Sequence, residues 1–362
     1  MAIFSNADIV SRSSMMTQQS ESQQEKNRYS GIVRVGPLMG IPVILQDLGY
    51  EPRPLFDSAG LKMEQFTDPD TTVYFLDASR LLALCVATTG CQHFGLLLGK
   101  NVHASSLGTA GLLLQAAPNV GKALGDLIRH FELHDQGGIP TLLVEGDVAL
   151  LGYAVYQQDA EAVKHILDLS ITVACNIMRD LCGEDWNPAE VFLSRSTPPD
   201  QMPYKRVFRA PVRFNSDQNA IAFSSHWLKH PLPGADSLLH RYLEEKAQDS
   251  HAQCDMSMVC KLDGVLRRLM VTQTCSAANA ATLLHMHERT LNRRLSDEGT
   301  CFRQELDNTR YEVAKQFLAE STISLEKLAM VLGYSDKTAF SRAFKRWSGV
   351  TPAKWRVRHK SK

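Results

Sequence analysis

The chain has 362 residues, of which 44% are hydrophobic, and this length and apolar content favour two domains with real cores. Lys and Arg together number 39, as do Asp and Glu, so the formal net charge is zero. No apolar run approaches the roughly 18 residues of a membrane span, and the chain is too long and too poor in cysteine for a disulfide-dense scaffold.

The net charge of zero conceals a strong asymmetry along the chain. From Lys261 onward, 19 Lys and Arg stand against 10 Asp and Glu, a balance of +9, whereas the preceding residues carry 20 against 29, a balance of −9. A basic C-terminal part is suited to binding phosphates, and an acidic N-terminal part stays off the nucleic acid. The eight cysteines include no C-x-x-C pair, which argues against a zinc ribbon and favours reduced thiols.

The first 30 residues are polar, and Ser, Gln, Asn and Glu dominate them from Ser11 onward. They lack the apolar core of a signal peptide, so we predict a disordered leader over residues 1–30 and a cytoplasmic protein. A mixed α/β domain is predicted to follow over residues 31–245.

Apolar periodicity and turn residues predict the elements of this N-terminal domain. Helices are predicted over residues 37–50, 54–61, 76–90, 110–117, 120–131 and 160–182. Short strands are predicted over residues 141–144, 149–156, 191–193, 212–214 and 220–223. The acidic-glycine turn at Glu145, Gly146 and Asp147 predicts that the first two strands form a hairpin.

The N-terminal region contains no P-loop, no G-x-G-x-x-G and no Gly-x-Ser-x-Gly motif. His130 and His134 share one helix face, but they lack an adjacent glutamate of the zinc-protease type. We therefore interpret both as ordinary helix-end residues and predict no catalytic residue, no metal and no cofactor.

After a predicted linker over residues 246–258, residues 259–362 are predicted to form an all-α domain with two helix-turn-helix units. In the first unit, one helix is predicted from Ser276 to Met286 and another from His287 to Glu298, with Leu291 facing inward. The outer face of the second helix carries Arg289, Thr290, Asn292, Arg293 and Arg294.

A long helix is predicted from Phe302 to Glu320, and at 1.5 Å per residue it is roughly 28 Å long. Successive major grooves on one face of DNA lie about 34 Å apart. One rigid helix can therefore set two recognition helices into adjacent grooves.

The second helix-turn-helix unit shows the clearest pattern of capping, turn and apolar residues. Ser324 is predicted to cap its first helix, Gly333 to end that helix with a positive φ, and Ser335 to cap the next. Phe340, Phe344 and Trp347 form the buried side of the second helix. Its outer face carries Lys337, Thr338, Ser341, Arg342, Lys345 and Arg346. Such a face reaches bases and phosphates in a helix-turn-helix.

At these spacings the C-terminal segment, Val259 to Arg358, resembles the DNA-binding domain of the AraC/XylS family of bacterial transcription regulators. The residues that carry the resemblance are Arg289 to Leu295, Glu298 to Phe302, Arg310, Ala314, Leu318, Leu328, Ala329, Leu332 to Tyr334, Phe340 to Trp347, Gly349, Thr351, Pro352 and Arg356. The resemblance implies that the base-contacting positions are Arg289, Thr290, Asn292 and Arg293 in the first unit, and Lys337, Thr338, Ser341 and Arg342 in the second.

The N-terminal region is similar to the "arabinose-binding" type of domain found in a subgroup of the same family, which includes ornithine-utilisation and ToxT-like regulators. The matching residues include His93 to Leu96, Leu107 and Gly108, Asp185 and Trp186, Pro211 to Phe214, and Pro231 to Asp236. In that family such a domain senses a small molecule and often dimerises. The label does not make arabinose the ligand, and the matched positions identify no ligand residue.

Two positions in the first unit depart from the family pattern. His285 stands where the first unit usually has a turn glycine, and His287 stands where a capping serine is common. Histidine tolerates φ > 0 less well than glycine, so a left-handed backbone at His285 is predicted to make the first unit less rigid than the second.

The sequence therefore predicts a DNA-binding transcription regulator, an activator that responds to a small-molecule effector. Its predicted partners are double-stranded DNA, RNA polymerase, the effector and a second copy of the chain. One alternative is a DNA-repair enzyme fused to a domain of this type, although the paired cysteines here have five or six residues between them. The other alternative is a helical interaction module that binds no DNA.

Overall fold

The fold is described from a computed structural model. The described residues are 31–155, 157, 160–253, 258–271, 275–284, 286–320 and 323–359. The predicted leader over residues 1–30 and the predicted left-handed turn at His285 lie outside these residues.

Helices and strands alternate irregularly in the N-terminal part. Its helices are α1 (Ile41–Asp47), α2 (Arg53–Ala59), α3 (Phe75–Thr89), α4 (Phe94–Gly99), α5 (Thr109–Ala116), α6 (Val120–His130), α7 (Val163–Cys182), α8 (Met202–Phe208) and α9 (Ser237–Gln253). Its strands are β1 (Ile32–Arg34), β2 (Thr72–Tyr74), β3 (Gly138–Glu145), β4 (Val148–Val155), β5 (Glu190–Phe192), β6 (Val212–Arg213) and β7 (Ala220–Ser224).

The strands form a small antiparallel β1–β2 sheet and a larger sheet in the order β3-β4-β7-β5-β6. Only the short β5–β6 pair of the larger sheet is parallel among the described strands. The β3–β4 register pairs Glu145 with Val148, which leaves a two-residue turn. Gly146 occupies that turn with φ +59°, so the predicted hairpin is confirmed.

Helices α3 and α7 supply much of the N-terminal core. Eight residues of α3 and thirteen of α7 are buried, so both helices lie largely inside the domain. Helix α4 lies against α7 at Gly95, where an added Cβ would stand 2.0 Å from the carbonyl oxygen of His165. Only glycine permits this backbone approach, which explains the glycine within the apolar run from Phe94 to Leu98.

The described residues of the C-terminal part form helices joined by turns, with no strand among them. Its helices are α10 (Met258–Val271), α11 (Ala277–Leu283), α12 (Glu288–Asp297), α13 (Phe302–Glu320), α14 (Leu325–Val331), α15 (Lys337–Ser348) and α16 (Pro352–His359). One buried cluster joins α10, α11 and α12, and a second joins α13, α14 and α15. Leu306 of α13 packs against both clusters, so the long helix connects the two units as predicted.

The predicted fold class, a mixed α/β domain followed by an all-α domain with two helix-turn-helix units, is confirmed. The elements β1, β2, α4, α8, α9, α10 and α16 were not predicted from the sequence. Helix α9 continues to Gln253, so the first part of the segment predicted as a linker over residues 246–258 is helical.

Candidate nucleic-acid interface

The first helix-turn-helix unit consists of α11 and α12. Ser276 caps α11 by accepting a hydrogen bond of 3.1 Å from the backbone N–H of Asn279. Leu291 and Leu295 are fully buried and fix α12 against α10 and α11. His287 stands at the N-cap of α12 with no side-chain hydrogen bond, which agrees with its departure from the usual serine.

Burial of one side of α12 leaves its other side in solvent. Arg289, Asn292 and Arg293 are exposed, and Thr290 is half-buried. Within the described residues, neither Arg289 nor Arg293 forms an ion pair. Both guanidinium groups are therefore available to a partner.

In the second unit, Ser324 caps α14 as predicted by accepting a hydrogen bond of 3.2 Å from the N–H of Lys327. Gly333 ends that helix with φ +72°, also as predicted. The prediction that Ser335 caps α15 is wrong. Asp336 is the cap, because its Oδ1 accepts hydrogen bonds from Thr338 N–H at 2.7 Å and Ala339 N–H at 2.8 Å.

The capping interaction lowers the pKa of the Asp336 carboxyl group. Hydrogen bonds from the Ala339 and Thr338 N–H groups, with weaker contributions from the Ser335 hydroxyl and Arg342, hold the pKa of this carboxyl below its usual range. An aspartate at a helix N-terminus also interacts favourably with the helix dipole. Aspartate can take this role as well as serine, and the sequence alone does not decide between neighbouring caps.

The outer face of α15 carries the predicted contact residues. Lys337, Thr338, Arg342, Lys345 and Arg346 are exposed, and Ser341 is half-buried. These side chains fall into two groups according to their contacts within the protein.

Two of the cations are engaged by acidic neighbours. Lys337 Nζ lies 2.7 Å from Glu326 of α14, and Arg346 Nη2 lies 2.9 Å from Asp307 of α13. Arg342 and Lys345, in contrast, form no ion pair with any described residue. Exposed ion pairs are weak, so Lys337 and Arg346 can exchange their carboxylate for a phosphate.

Helix α13 is fixed to both units by polar contacts as well as by its apolar side. Thr309 donates a hydrogen bond of 2.6 Å to Asp263 of α10, the helix that packs against both helices of the first unit. Arg310 donates one of 2.9 Å to the carbonyl oxygen of Leu332 at the end of α14. The guanidinium of Arg310 also lies 4.8 Å from the ring centre of Tyr334. These contacts set the position of each unit along one rigid helix.

A further contact was not found from the sequence. The carboxylate of Glu298 accepts hydrogen bonds from the N–H groups of Met258 at 2.6 Å and Val259 at 3.0 Å. It thus caps the N-terminus of α10 from a position 40 residues away in the chain. Sequence patterns detect local caps, and a cap supplied by a distant residue leaves no local signal.

Among the described residues, one group of two carboxylates and a histidine has its side-chain ligand atoms close together. Ligand atoms of Asp126, His130 and Glu244 lie within 4.8 Å of one another. The two oxygens of Asp126 already contact Lys122 Nζ and His240 Nε2, each at 2.7 Å, and Lys122 also lies 3.6 Å from Glu244. These partners balance the carboxylates, so the cluster is a polar contact between α6 and α9.

Among the described cysteines, Cys85 and Cys175 are buried in the core. Burial raises the pKa of the Cys85 thiol to about 12 and that of the Cys175 thiol to about 11. A buried thiol with a raised pKa stays protonated and uncharged, as expected of a core residue.

Two helix-turn-helix units joined by a long helix, each with a polar recognition face, define the class of DNA-binding transcription regulators. Comparison with known protein families agrees. Residues 49–232 match the family described as the arabinose-binding domain of AraC transcription regulators, N-terminal, and residues 280–358 match a helix-turn-helix domain. The chain belongs to the AraC family of transcription regulators with an arabinose-binding-type N-terminal domain, and it is not an enzyme.

The chain aligns with several regulators over nearly their whole length. The chain is 25% identical over 344 residues to the ornithine utilization regulator of Pseudomonas aeruginosa, covering 92% of this chain and 99% of that protein. It is 26% identical over 331 residues to the transcriptional regulator VirS of Mycobacterium tuberculosis, covering 90% and 96%. The crystal structure of the regulator CdpR from Pseudomonas aeruginosa is 23% identical, covers 84% and 96%, and gives a TM-score of 0.41.

One structural property bears on membranes. Among the described residues, no helix combines the length and apolarity that crossing a bilayer requires.

Proposed function

We propose that this regulator reads two adjacent major grooves with α12 and α15 and activates transcription in response to a small-molecule effector. In this proposal Arg289, Thr290, Asn292 and Arg293 contact the first half of the operator. The second half is contacted by Lys337, Thr338, Ser341, Arg342, Lys345 and Arg346.

The observation that carries the proposal is the placement of unpaired cations on both recognition helices of one framework. Arg293 and Arg342 are exposed and lack ion pairs with described residues, and α13 packs against both units. Arginine binds the O6 and N7 atoms of guanine through two hydrogen bonds, the commonest specific contact in the major groove. Lys345 lies three residues beyond Arg342 on the same exposed side and is suited to a phosphate.

Salt dependence tests the interface. We would measure binding of the full chain to its upstream intergenic DNA by fluorescence anisotropy between 50 and 200 mM salt. If about six phosphates are neutralised, the affinity should fall by ~10³ over this range. A scrambled duplex of equal length should bind more weakly at every salt concentration. A flat salt response, or equal affinity for both duplexes, would count against the proposal.

Activation requires contact with RNA polymerase, and effector sensing is assigned to the N-terminal domain, which also forms the proposed homodimer. The cytoplasm, where the DNA lies, is the proposed location. Transcription in vitro from the upstream promoter, with purified RNA polymerase and with or without the protein, tests the direction of regulation. Increased transcript supports an activator, and decreased transcript would identify a repressor.

A further inference from the structure

A cavity of about 90 Å³ lies inside the N-terminal domain, bounded by α3, α6, α7 and β4. This volume is several times the roughly 10–15 Å³ that a single water needs, so the cavity has room for a small organic molecule. Its walls are mostly aliphatic and aromatic, with Leu82, Leu127, Leu169 and Ile177 among the lining residues.

The polar side chains that line the cavity are those of Ser79, His134, Asp135, Tyr153 and Ser170. The hydroxyl of Ser79 donates to the carbonyl oxygen of Leu76 at 2.9 Å and accepts the N–H of Glu161 at 3.1 Å. The carboxylate of Asp135 is already bonded, because one oxygen accepts the N–H of Gly137 at 2.7 Å and the other accepts the hydroxyl of Tyr153. Elsewhere in the lining, Ser170 donates to the carbonyl oxygen of Ile166 at 2.9 Å. The side chains of Asp135, Tyr153 and Ser170 are therefore hydrogen-bonded within the protein and do not require a ligand.

His134 differs from these groups. Its side chain is buried, with 6% of the residue exposed, yet Nδ1 has no hydrogen-bond partner among the described residues. Buried polar atoms in proteins are normally paired, and a site with an unpaired one is suited to a ligand that completes it. Burial, with a smaller effect of Arg34, lowers the pKa of His134 to about 3, so the ring is neutral near pH 7.

We propose that this cavity binds a small, uncharged and mainly apolar molecule whose single hydroxyl, carbonyl or amide group forms a hydrogen bond with His134 Nδ1. That this molecule is the effector rests on the function proposed above. The chemistry of the site follows from the cavity itself, because apolar walls favour an apolar body and one unpaired atom provides one polar contact.

The same chemistry excludes arabinose, for which the matching N-terminal domain family is named, and ornithine, for which one relative is named. A sugar such as arabinose carries several hydroxyl groups, and all but one would be buried without a partner. A zwitterionic amino acid such as ornithine would bring charges into a cavity whose nearest carboxyl group is already bonded to Tyr153 and Gly137. Arg34, the cation beside His134, is paired with Asp70.

The test uses hexan-1-ol as the probe on the full chain, with binding followed by ligand-observed NMR at millimolar concentrations. L-arabinose and L-ornithine are measured in parallel. Hexan-1-ol should bind the wild type, and the two polar compounds should not. His134→Phe keeps the ring shape but removes Nδ1, and it should weaken hexan-1-ol binding by about threefold to tenfold.

A matched pair of serine variants locates the binding. Ser170→Leu places a larger side chain in the cavity and should abolish hexan-1-ol binding. Ser58→Leu is the control, because Ser58 is exposed on α2 and its hydroxyl also donates to the carbonyl four residues earlier in its helix. It should bind hexan-1-ol as the wild type does.

Three outcomes would overturn the inference: no binding of hexan-1-ol to the wild type, unchanged binding in Ser170→Leu, or preferential binding of arabinose or ornithine. DNA binding without any probe is measured separately on the upstream fragment. A protein that binds this DNA but not hexan-1-ol overturns the cavity inference alone. A protein that binds hexan-1-ol as expected but shows no specific DNA binding overturns the proposed function alone.

Discussion

The Nε–H of Arg310, in the middle of α13, donates a hydrogen bond of 2.9 Å to the carbonyl oxygen of Leu332 at the C-terminal end of α14. The last carbonyls of a helix lack partners within the helix, and a cation at this end also interacts favourably with the helix dipole. The same guanidinium covers the ring of Tyr334, at 4.8 Å from its centre. One side chain thus joins the connecting helix to the turn of the second unit.

We expect Arg310→Met to destabilise the C-terminal domain by about 1–3 kcal/mol, because the charged hydrogen bond and the ring contact are both lost. Urea unfolding of the full chain would measure the effect. Arg303→Met is the control, since Arg303 is exposed on the same helix and should change the free energy of unfolding little. Equal stability of the two variants would show that the hydrogen bond to Leu332 does not contribute to the free energy of unfolding.

The turn that follows Leu332 provides a second prediction. Gly333 has φ +72°, a conformation that L-residues with a side chain adopt only with strain. Gly333→Ala should therefore lower the free energy of unfolding by about 1–2 kcal/mol. Gly264 lies inside α10 with nothing within 4 Å of an added Cβ, so Gly264→Ala should raise it by about 0.5–1 kcal/mol.

Thermal melts of both glycine variants measure this pair of opposite effects. Since the chemical change is the same, effects of the added methyl on the unfolded chain are matched. If Gly333→Ala were as stable as the wild type, the turn would have to relax to a negative φ without loss of packing.

The cap at Glu298 predicts a long-range effect. Glu298→Ala leaves the N–H groups of Met258 and Val259 without their carboxylate, and we expect a loss of about 1–2 kcal/mol in the C-terminal domain. Asp297 is exposed next to it, so Asp297→Ala serves as the matched control. Denaturant unfolding measures the stability of the two variants. A similar loss of stability in both would assign the effect to surface charge rather than to the cap.

Base contacts and phosphate contacts are expected to respond differently to mutation. Arg293→Ala should relax base preference in one half of the operator by about 1–3 kcal/mol, and Arg342→Ala should do the same in the other half. Lys345→Ala should weaken binding to all sequences alike, because a phosphate contact carries no sequence information. Binding of each variant to a panel of operator mutants measures these effects. A uniform loss for all three would show that the contacts are sorted wrongly.

The structure explains which elements the sequence predicted. Helices such as α3, α6 and α15 carry apolar residues at helical spacing, and the turn at Gly146 marks the hairpin locally. The β1–β2 pair joins residues 32–34 to residues 72–74, so its partner strand has no local signature. Helix α9 exposes Leu238, Leu239 and Tyr242, and this mixed pattern conceals its helical period.

The exposed faces of the candidate site could be predicted from the sequence, whereas contacts between its helices could not. The outward faces of α12 and α15 follow from buried neighbours such as Leu291 and Phe340, which the spacing identified. The engagement of Arg346 by Asp307 depends on how α13 packs against α15, and it could not be predicted from either helix alone. The cavity was missed for the same reason, because His134 looks like a helix-end residue until its surroundings are assembled.

The buried imidazole of His134 leads to a prediction about pH. Its pKa in the folded protein is lowered to about 3, chiefly by burial, whereas an unfolded chain has a histidine pKa of about 6.5. As the pH falls from 7.5 to 4.5, the unfolded chain binds a proton at this residue and the folded protein does not. Protonation therefore stabilises the unfolded state, and His134 lowers the free energy of unfolding of the wild type in this range.

His134→Phe removes this effect while keeping a ring against Phe131, whose centroid lies 5.5 Å from that of the imidazole. The stability of the variant relative to the wild type should rise by about 2–3 kcal/mol between pH 7.5 and 4.5. Phe131→Leu is the control, because it changes packing at the same place without removing an ionisable group, and its difference from the wild type should stay nearly constant. Chemical unfolding at a series of pH values gives both differences, and a flat difference for His134→Phe would mean that the folded protein protonates this ring.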